Sequence, residues 1–283
     1  MGLLPFRLMG EAEPNRIDRI FSEARANGRR LLMPFLCADH PSVGSLGELL
    51  PALEAGGASI VEIGIPFSDP IADGPVIAAA MHAALAAGST PAGVFEQVAG
   101  VRARTNLGLV AMVSVSLVYG MGGPARFAAL ASEAGFDGFI FPDAPLEESA
   151  ELTEAARERG LTASLLVAPT TPPERAARIA EASSGFLYLL ARGGITGERS
   201  DAPEIGPRVA MLRERTRLPI ACGFGVSTPE HVRAVVEHAD AAIVGSALVR
   251  RLAQAREAGA DVAGAARAFA AELAAGLASA AAA

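Results

Sequence analysis

Lysine is absent from this sequence of 283 residues, and all 24 of its basic residues are arginine. A chain without lysine cannot form a Schiff base between a lysine amine and a carbonyl substrate, so that form of covalent catalysis is excluded. Tryptophan is also absent, and the only cysteines are Cys37 and Cys222. Their spacing is not that of a metal site, and we interpret both as free, buried thiols in a reducing cytoplasm.

Other absences narrow the class of protein. No apolar run approaches the roughly 18 residues of a membrane helix, and the N-terminus lacks the basic segment and apolar core of a secretory signal. The net charge is −7, and the charged residues form no block of one sign along the sequence. This pattern argues against a surface that binds nucleic acid or an anionic membrane. No histidine has an acidic residue or a cysteine at a sequence spacing that suggests a metal site. We therefore expect a cytoplasmic protein that acts on a small molecule without a metal or cofactor.

Short apolar runs, each followed by a helical stretch, recur along the chain. They are apolar throughout rather than alternating, which is typical of parallel strands covered by helices on the outside. The predicted strands are Leu31–Leu36, Ile60–Ile65, Leu109–Ser114, Gly138–Phe141, Thr162–Val167, Phe186–Leu190, Pro219–Cys222 and Ala241–Val244. Eight strands alternating with helices predict a (β/α)₈ barrel, whereas the alternative, a doubly wound sheet, lacks a GxGxxG after the first strand.

The barrel is expected to form a single domain over residues 1–283, with its core at about 30–258. Asn15–Asn27 predicts an extra helix that closes the bottom of the barrel. Asp261–Ala283 predicts an alanine-rich C-terminal helix that frays at its end.

The segment VEIGIPFSDPIADGP, residues 61–75, places one carboxylate inside a core strand and two more in the loop behind it. No arginine lies near Glu62 in sequence, so an ion pair explains its burial poorly. Active sites of this fold lie at the carboxyl ends of the strands, where burial would raise the pKa of Glu62 as a proton shuttle needs. Asp73 is expected to be more exposed and to stay ionised, and Asp69 to face solvent or a partner.

Glycines and hydroxyl side chains follow the predicted seventh and eighth strands. Gly223, Gly225 and Gly245 would let the backbone approach a ligand closely. Thr228 and Ser246 stand at helix starts, where backbone N–H groups and the helix dipole favour an anion. Because phosphate sites recur after these two strands of the fold, the segments together predict phosphate binding.

In order along the chain, these segments resemble the motifs of the tryptophan synthase α subunit family. VEIGIPFSDPIADGPVI is similar to the family's long signature, and FPDAPLEES, LVAPTTPPER, ARGGITGER, GFGVSTPE and IVGSALV extend the match over about residues 30–250. The family cleaves indole-3-glycerol phosphate to indole and glyceraldehyde 3-phosphate. The resemblance implies that Glu62 shuttles the proton and that Asp73 accepts a hydrogen bond from the indole N–H. Tyr188 would stand beside Glu62, although a buried structural tyrosine is an equally good interpretation.

The resemblance also implies the rest of the site. The phosphate would bind Gly197, Gly225, Gly245 and Ser246. The indole pocket would be lined by Phe35, Met112, Ile140, Leu166 and Phe224, each of which is also an ordinary core residue by composition. Arg192 and Thr196 would lie on a lid over the substrate, with Thr196 reaching Asp73.

Two segments depart from the family pattern. CADHP has Asp39 and His40 where the family usually has Gly and Asp, and SVS, which ends at Ser116, replaces a Tyr-x-Asn pattern. In the family this face docks the β subunit of an α₂β₂ assembly, here through Asp69, Pro70 and the loop after Ser116. The changes leave open a free-standing lyase that releases indole for a specialised pathway, while Asp69 and Pro70 favour the subunit. An inactive barrel or another phosphosugar enzyme would not require the retained carboxylates and signature.

Overall fold

The structure, a computed structural model, describes residues 14–70, 73–191, 204–223 and 225–279. Its nine parallel strands form one sheet in the order β5-β4-β3-β2-β1-β9-β8-β7-β6. The strands are β1 Leu31–Cys37, β2 Ile60–Gly64, β3 Gly108–Met112, β4 Gly138–Ile140, β5 Thr162–Ser164, β6 Leu166–Val167, β7 Leu187–Leu190, β8 Ile220–Gly223 and β9 Ala241–Val244. They confirm the predicted barrel.

Helices connect these strands and cover the barrel on the outside. The described helices are α1 Arg16–Ala26, α2 Leu46–Ala55, α3 Pro75–Ala86, α4 Pro91–Val101, α5 Val115–Gly120, α6 Pro124–Ala134, α7 Ala150–Glu158, α8 Pro173–Ala182, α9 Gly206–Arg213, α10 Pro229–Val236, α11 Ser246–Glu257 and α12 Val262–Ala274. Several begin at proline, whose fixed φ suits the first helical turn. Within the described ranges no single helix can span a membrane by length and composition, and one pair, α3 with Pro91–Arg104, passes that test only across a bend of 96°.

The fifth predicted strand, Thr162–Val167, is divided in two. The hydroxyl of Ser183 accepts the Leu165 N–H at 3.2 Å, so a side chain replaces the backbone partner at that point. The Leu165 carbonyl still accepts the Tyr188 N–H at 3.2 Å. Because β5 pairs with β4 and β6 with β7, the two pieces of one extended segment close the barrel. Eight predicted strands thus become nine without a change of architecture.

The bottom of the barrel is closed by α1, as the sequence predicted. The Asn15 side chain caps this helix by accepting the Ile17 N–H at 2.8 Å. Ile17 and Phe21 are buried within the barrel interior, and the ring of Phe21 lies 5.8 Å from that of Phe186. Since the bottom is filled, a ligand can enter the barrel interior from the carboxyl ends of the strands.

The C-terminal helix is shorter than predicted. Asp261 caps α12 by accepting the Gly264 N–H at 2.9 Å, and a 3₁₀ turn, Ala275–Ser279, follows the helix. A Cβ on Gly56 would lie 2.6 Å from the Cβ of Ala270, so α12 packs directly against the end of α2. Residues 280–283 lie outside the described part of the chain.

Candidate active site

Glu62 lies on the inner face of β2, and its carboxylate is completely buried. Its neighbours across the sheet are Phe35 of β1 and Val110 of β3. The side chain is 0% exposed, and neither of its oxygens has a hydrogen-bond partner within the described ranges. Burial raises the pKa of Glu62 well above its usual value, because water no longer stabilises the charged form. Burial therefore favours the neutral acid form of this side chain, which is the direction of shift that the sequence predicted.

Asp73 lies in the loop between β2 and α3, and it is more exposed than Glu62. Its backbone N–H donates to the Pro70 carbonyl at 3.1 Å, and α3 begins two residues later at Pro75. The side chain is half-buried, and burial raises the pKa of Asp73 to about 6. Asp73 is thus more exposed than Glu62, as expected, although its pKa is above the ordinary value. The group is ionised at neutral pH but takes up a proton in mild acid.

Tyr188 of β7 lies beside both carboxylates. Its pKa is raised well above the usual value by burial first, and then by the charges of Glu62, Cys222 and Asp73. The phenol is consequently neutral and can donate a proton in a hydrogen bond. A Cβ on Gly223 would lie 2.9 Å from the Tyr188 hydroxyl, so this glycine makes room for the ring. The sequence predicted that Gly223 lets the backbone approach a ligand closely. The space needed by Tyr188 explains a glycine at this position without that role.

The predicted apolar wall is assembled on the inner face of the barrel. Ile140 and Tyr188 are buried in one interior cluster, against which Met112 and Leu166 pack. Met112 also packs against a second cluster that contains Phe35. A Cβ on Gly64 would lie 2.6 Å from Cζ of Phe35, so the ring of Phe35 rests against the backbone of β2. The fifth predicted wall residue, Phe224, lies outside the described residues.

Two helix starts lie after β8 and β9, where the phosphate was predicted to bind. Thr228 caps α10 by accepting the His231 N–H at 3.3 Å. The helix α11 differs, because Gly245 is its cap residue and no described side chain caps its first turn. Those backbone N–H groups are suited to an anion. Gly225 has a φ of +85°, a left-handed conformation that glycine adopts without strain.

The lid and one phosphate residue cannot be placed. Arg192, Thr196 and Gly197 lie outside the described residues. A residue that the sequence did not point to, Cys37, lies on the inner face of β1. Burial, together with the nearby charges of Asp73 and Asp39, raises the pKa of its thiol to about 12. The Cys37 thiol is therefore neutral, and its Sγ donates to the Ala38 carbonyl at 3.6 Å.

Comparison with known proteins identifies the family. The family profile described as tryptophan synthase alpha chain matches residues 21–278. The chain belongs to the tryptophan synthase alpha chain family. The alpha chain of Prochlorococcus marinus (strain MIT 9313) is 47% identical over 244 residues, which cover 84% of this chain and 87% of that one. The alpha chain of Chloroflexus aggregans (strain MD-66 / DSM 9485) is 46% identical over 242 residues, covering 84% and 90%.

Solved structures agree with the family assignment. Tryptophan synthase subunit alpha from Legionella pneumophila str. Paris superposes with a TM-score of 0.85 at 33% identity, over 93% of this chain and 98% of that one. A chain of Mycobacterium tuberculosis tryptophan synthase gives a TM-score of 0.84 at 34% identity, over 94% and 99%. The resemblance inferred from the motifs is confirmed.

The two segments that depart from the family pattern, around Asp39 and Ser114, are held in place by hydrogen bonds. Asp39 has a φ of 59°, which is rare for a residue other than glycine. Its buried carboxylate accepts the Ser89 hydroxyl at 2.5 Å and the Gln97 amide at 2.7 Å. Ser114 begins α5, a helix that the sequence did not predict, and its hydroxyl donates to Asp143 at 2.6 Å. The altered loops are therefore ordered parts of the fold.

Proposed function

We propose that this chain cleaves indole-3-glycerol phosphate to indole and glyceraldehyde 3-phosphate, as the α subunit of a tryptophan synthase. The observation that carries the proposal is Glu62, a completely buried carboxylate for which the described residues offer no hydrogen-bond partner, at the carboxyl end of a barrel that is filled at its bottom. Natural proteins seldom bury such a group unless it is used. The substrate is inferred from family membership, and the residues of the site are suited to the steps of the reaction.

In this mechanism Glu62 begins as the neutral acid and donates its proton to C3 of the indole ring. Asp73 accepts a hydrogen bond from the ring N–H and stabilises the cationic indolenine that forms. The Glu62 carboxylate then takes the proton of the glyceryl hydroxyl next to the ring. As the carbon–carbon bond breaks, its electron pair restores the indole ring, and the hydroxyl carbon becomes the aldehyde of glyceraldehyde 3-phosphate. Glu62 ends with the proton that it began with.

The remaining residues bind and orient the substrate in this proposal. Tyr188 donates a hydrogen bond toward Glu62 while that group is charged, which is consistent with its neutral phenol beside the carboxylate. The backbone N–H groups at the start of α11 and around Gly225 bind the phosphate, together with Gly197. Phe35, Met112, Ile140, Leu166 and Phe224 enclose the ring. Arg192 and Thr196 close over it and exclude water.

We further propose that the carboxyl face of the barrel docks a β subunit through Asp69, Pro70 and the loop after Ser116. Among the described residues, two large apolar side chains are exposed, Val43 at 56% and Tyr119 at 52%. Val43 follows β1, and Tyr119 lies on α5, within the proposed docking loop after Ser116. Exposed apolar groups of this size suit a protein–protein contact.

Steady-state release of indole from indole-3-glycerol phosphate tests the proposal. We expect the isolated chain to release indole slowly and a tryptophan synthase β subunit to accelerate it, because a partner that prefers the closed form shifts the population toward it. Turnover of about 1 s⁻¹ or more by the isolated chain, with no response to the β subunit, would instead indicate a free-standing lyase. The curated relatives described above are all tryptophan synthase alpha chains, and none favours that alternative. Absence of any cleavage, with the β subunit present, would contradict the proposed reaction.

A further inference from the structure

We infer that His82 is a positioning residue for this reaction: its ring holds the loop after β2 through the Ser68 carbonyl and so keeps Asp73 in place beside the substrate. The inference rests on the proposed function, because Asp73 matters for the reaction only if the ring N–H of the substrate binds there. His82 is no part of the motif by which the family was inferred. It lies seven residues into α3, on the exposed side of that helix.

The contact joins two ends of one short segment. A ring nitrogen of His82, Nε2, lies 3.0 Å from the carbonyl oxygen of Ser68, which is fourteen residues earlier in the chain. A carbonyl oxygen can only accept, so Nε2 must carry the proton and donate it. Nε2 carries a proton both in that neutral tautomer and in the charged ring. The hydrogen bond therefore does not depend on the charge of His82.

The other hydrogen bonds shown for the described residues of this loop stay within the loop. The Ser68 hydroxyl donates to Asp69 at 2.6 Å, and the Asp73 N–H donates to the Pro70 carbonyl, so both of these bonds are internal to the loop. Within the described ranges, the bond from His82 is the one that ties residues 66–70 to a helix. Since α3 starts at Pro75, two residues after Asp73, a tie from its third turn back to Ser68 restrains the segment on both sides of the aspartate.

The position of this loop determines how far Asp73 is buried. Burial is the cause that raises the pKa of Asp73 to about 6, and loss of the tie would let the loop move outward and water reach the carboxylate. An aspartate in water has a pKa near 4. Among the described residues, the ionisable side chains that face or border Asp73 are Cys37 of β1, Glu62 of β2, Tyr188 of β7, Asp143 after β4 and Asp69 of the loop itself. None of these groups is a cation, so burial is the dominant cause of the raised pKa of Asp73.

The test compares three variants of the full chain in steady-state cleavage of indole-3-glycerol phosphate across pH. We expect His82→Ala to lower kcat/KM by about 3- to 10-fold, the net worth of one such hydrogen bond. We also expect the acid limb of its pH profile, which follows Asp73, to move to lower pH than in the unaltered chain. His82→Gln should restore both, because its amide can donate to the same carbonyl. Ser68→Ala keeps that carbonyl and should leave both unchanged.

Three results would overturn the inference. The first is a His82→Ala chain with unchanged kcat/KM and an unchanged acid limb. The second is an equal loss in His82→Gln. The third is a loss of activity in His82→Ala that accompanies a lower melting temperature while the acid limb stays in place, because a purely structural role would give that pattern.

Amide hydrogen exchange of residues 66–70 separates this inference from the proposed function, because it needs no substrate. We expect faster exchange in His82→Ala and exchange like that of the unaltered chain in His82→Gln. If neither chain cleaves the substrate but the exchange pattern holds, the tie stands and the proposed function fails. If exchange is equal in all chains, the tie itself is wrong.

Discussion

The two ends of the barrel bury carboxylates in opposite ways. At the bottom, Asp240 accepts from Arg25 at 3.1 Å and from the Ile220 N–H at 2.8 Å, and Arg213 and Arg30 also lie beside it. Burial alone would raise the pKa of Asp240, but these bonds outweigh it and hold the pKa below its usual value. At the top, Glu62 is equally inaccessible and has no described partner, so its pKa is raised.

The difference separates two uses of a buried acid. A carboxylate surrounded by donors keeps its charge and helps to hold elements together, here α1, α9 and the start of β8. Burial of a carboxylate without donors raises its pKa and favours the protonated form, which can transfer a proton to a substrate. Stabilising charge thus lies at the closed end, and the groups that we propose to be reactive lie at the open end. Substitutions at one end of the barrel at a time test this difference.

The largest effect is expected from Glu62→Gln. The amide has nearly the same shape but cannot carry the proton, so cleavage should fall by about 10²–10⁴-fold or more, since one residue serves as both acid and base. The fold should remain, as circular dichroism and phosphate binding would check. Turnover close to that of the unaltered chain would remove Glu62 from the mechanism.

Asp73→Asn should lower cleavage at neutral pH by about 10²–10³-fold, the usual effect of losing one preorganised group that stabilises transition-state charge. In the unaltered chain the charged form of Asp73 is required, so kcat/KM should rise as pH increases through about 6. The asparagine variant should lack that limb. If its profile keeps the limb at the same pH, another group is responsible for it.

At the bottom of the barrel, Asp240→Asn should reduce stability and leave catalysis intact. Removing a shared carboxylate leaves partly buried arginines facing one another, and we expect a loss of about 2–4 kcal/mol in the free energy of unfolding. The value lies toward the lower end for buried pairs because Arg25, Arg30 and Arg213 are each about one-third exposed. Urea denaturation measures the loss, and indole release per folded molecule should stay within about twofold. Lost activity with unchanged stability would contradict the division between the two ends.

A smaller effect is expected from Gly64→Ala. The new methyl group would lie 2.6 Å from Cζ of Phe35, so the ring must move into the proposed indole pocket. We expect a loss of about 1–3 kcal/mol in stability from overpacking, together with a higher KM for the substrate. Gly100→Ala is the matched control, because nothing lies within 4 Å of its Cβ position in α4. The control should be neutral or slightly stabilising, since alanine favours the helix; equal losses in both variants would refute the packing argument.

The open end was easier to predict from the sequence than the closed end. Glu62 and Asp73 share one motif within twelve residues, and the absence of a nearby arginine correctly indicated a carboxylate without a partner. Asp240 gave no comparable signal, because Arg25 lies 215 residues away and Arg213 lies 27 away. Only the closed barrel brings them together.

The sequence also failed to predict local structure at positions where a side chain replaces a backbone hydrogen-bond partner. The break at Leu165 depends on the hydroxyl of Ser183, and Ser114, which donates to Asp143, caps the start of α5. Neither contact leaves a periodic pattern in the sequence. The size of the pKa shift at Asp73 was not predicted for a similar reason, because it depends on how deeply the loop buries the carboxylate.

The difference between the two ends depends most directly on whether Glu62 is neutral in the folded protein, and thermal unfolding of the unaltered chain and Glu62→Gln across pH measures this. A group whose folded pKa is raised contributes its full stability below its unfolded pKa, and that contribution is lost as pH rises toward the folded pKa. The unaltered chain should therefore lose stability relative to Glu62→Gln as pH increases from about 4.5 upward, and the gap in melting temperature should widen. A gap that stays constant across the whole range would mean that Glu62 titrates as an ordinary carboxylate, and would contradict the account.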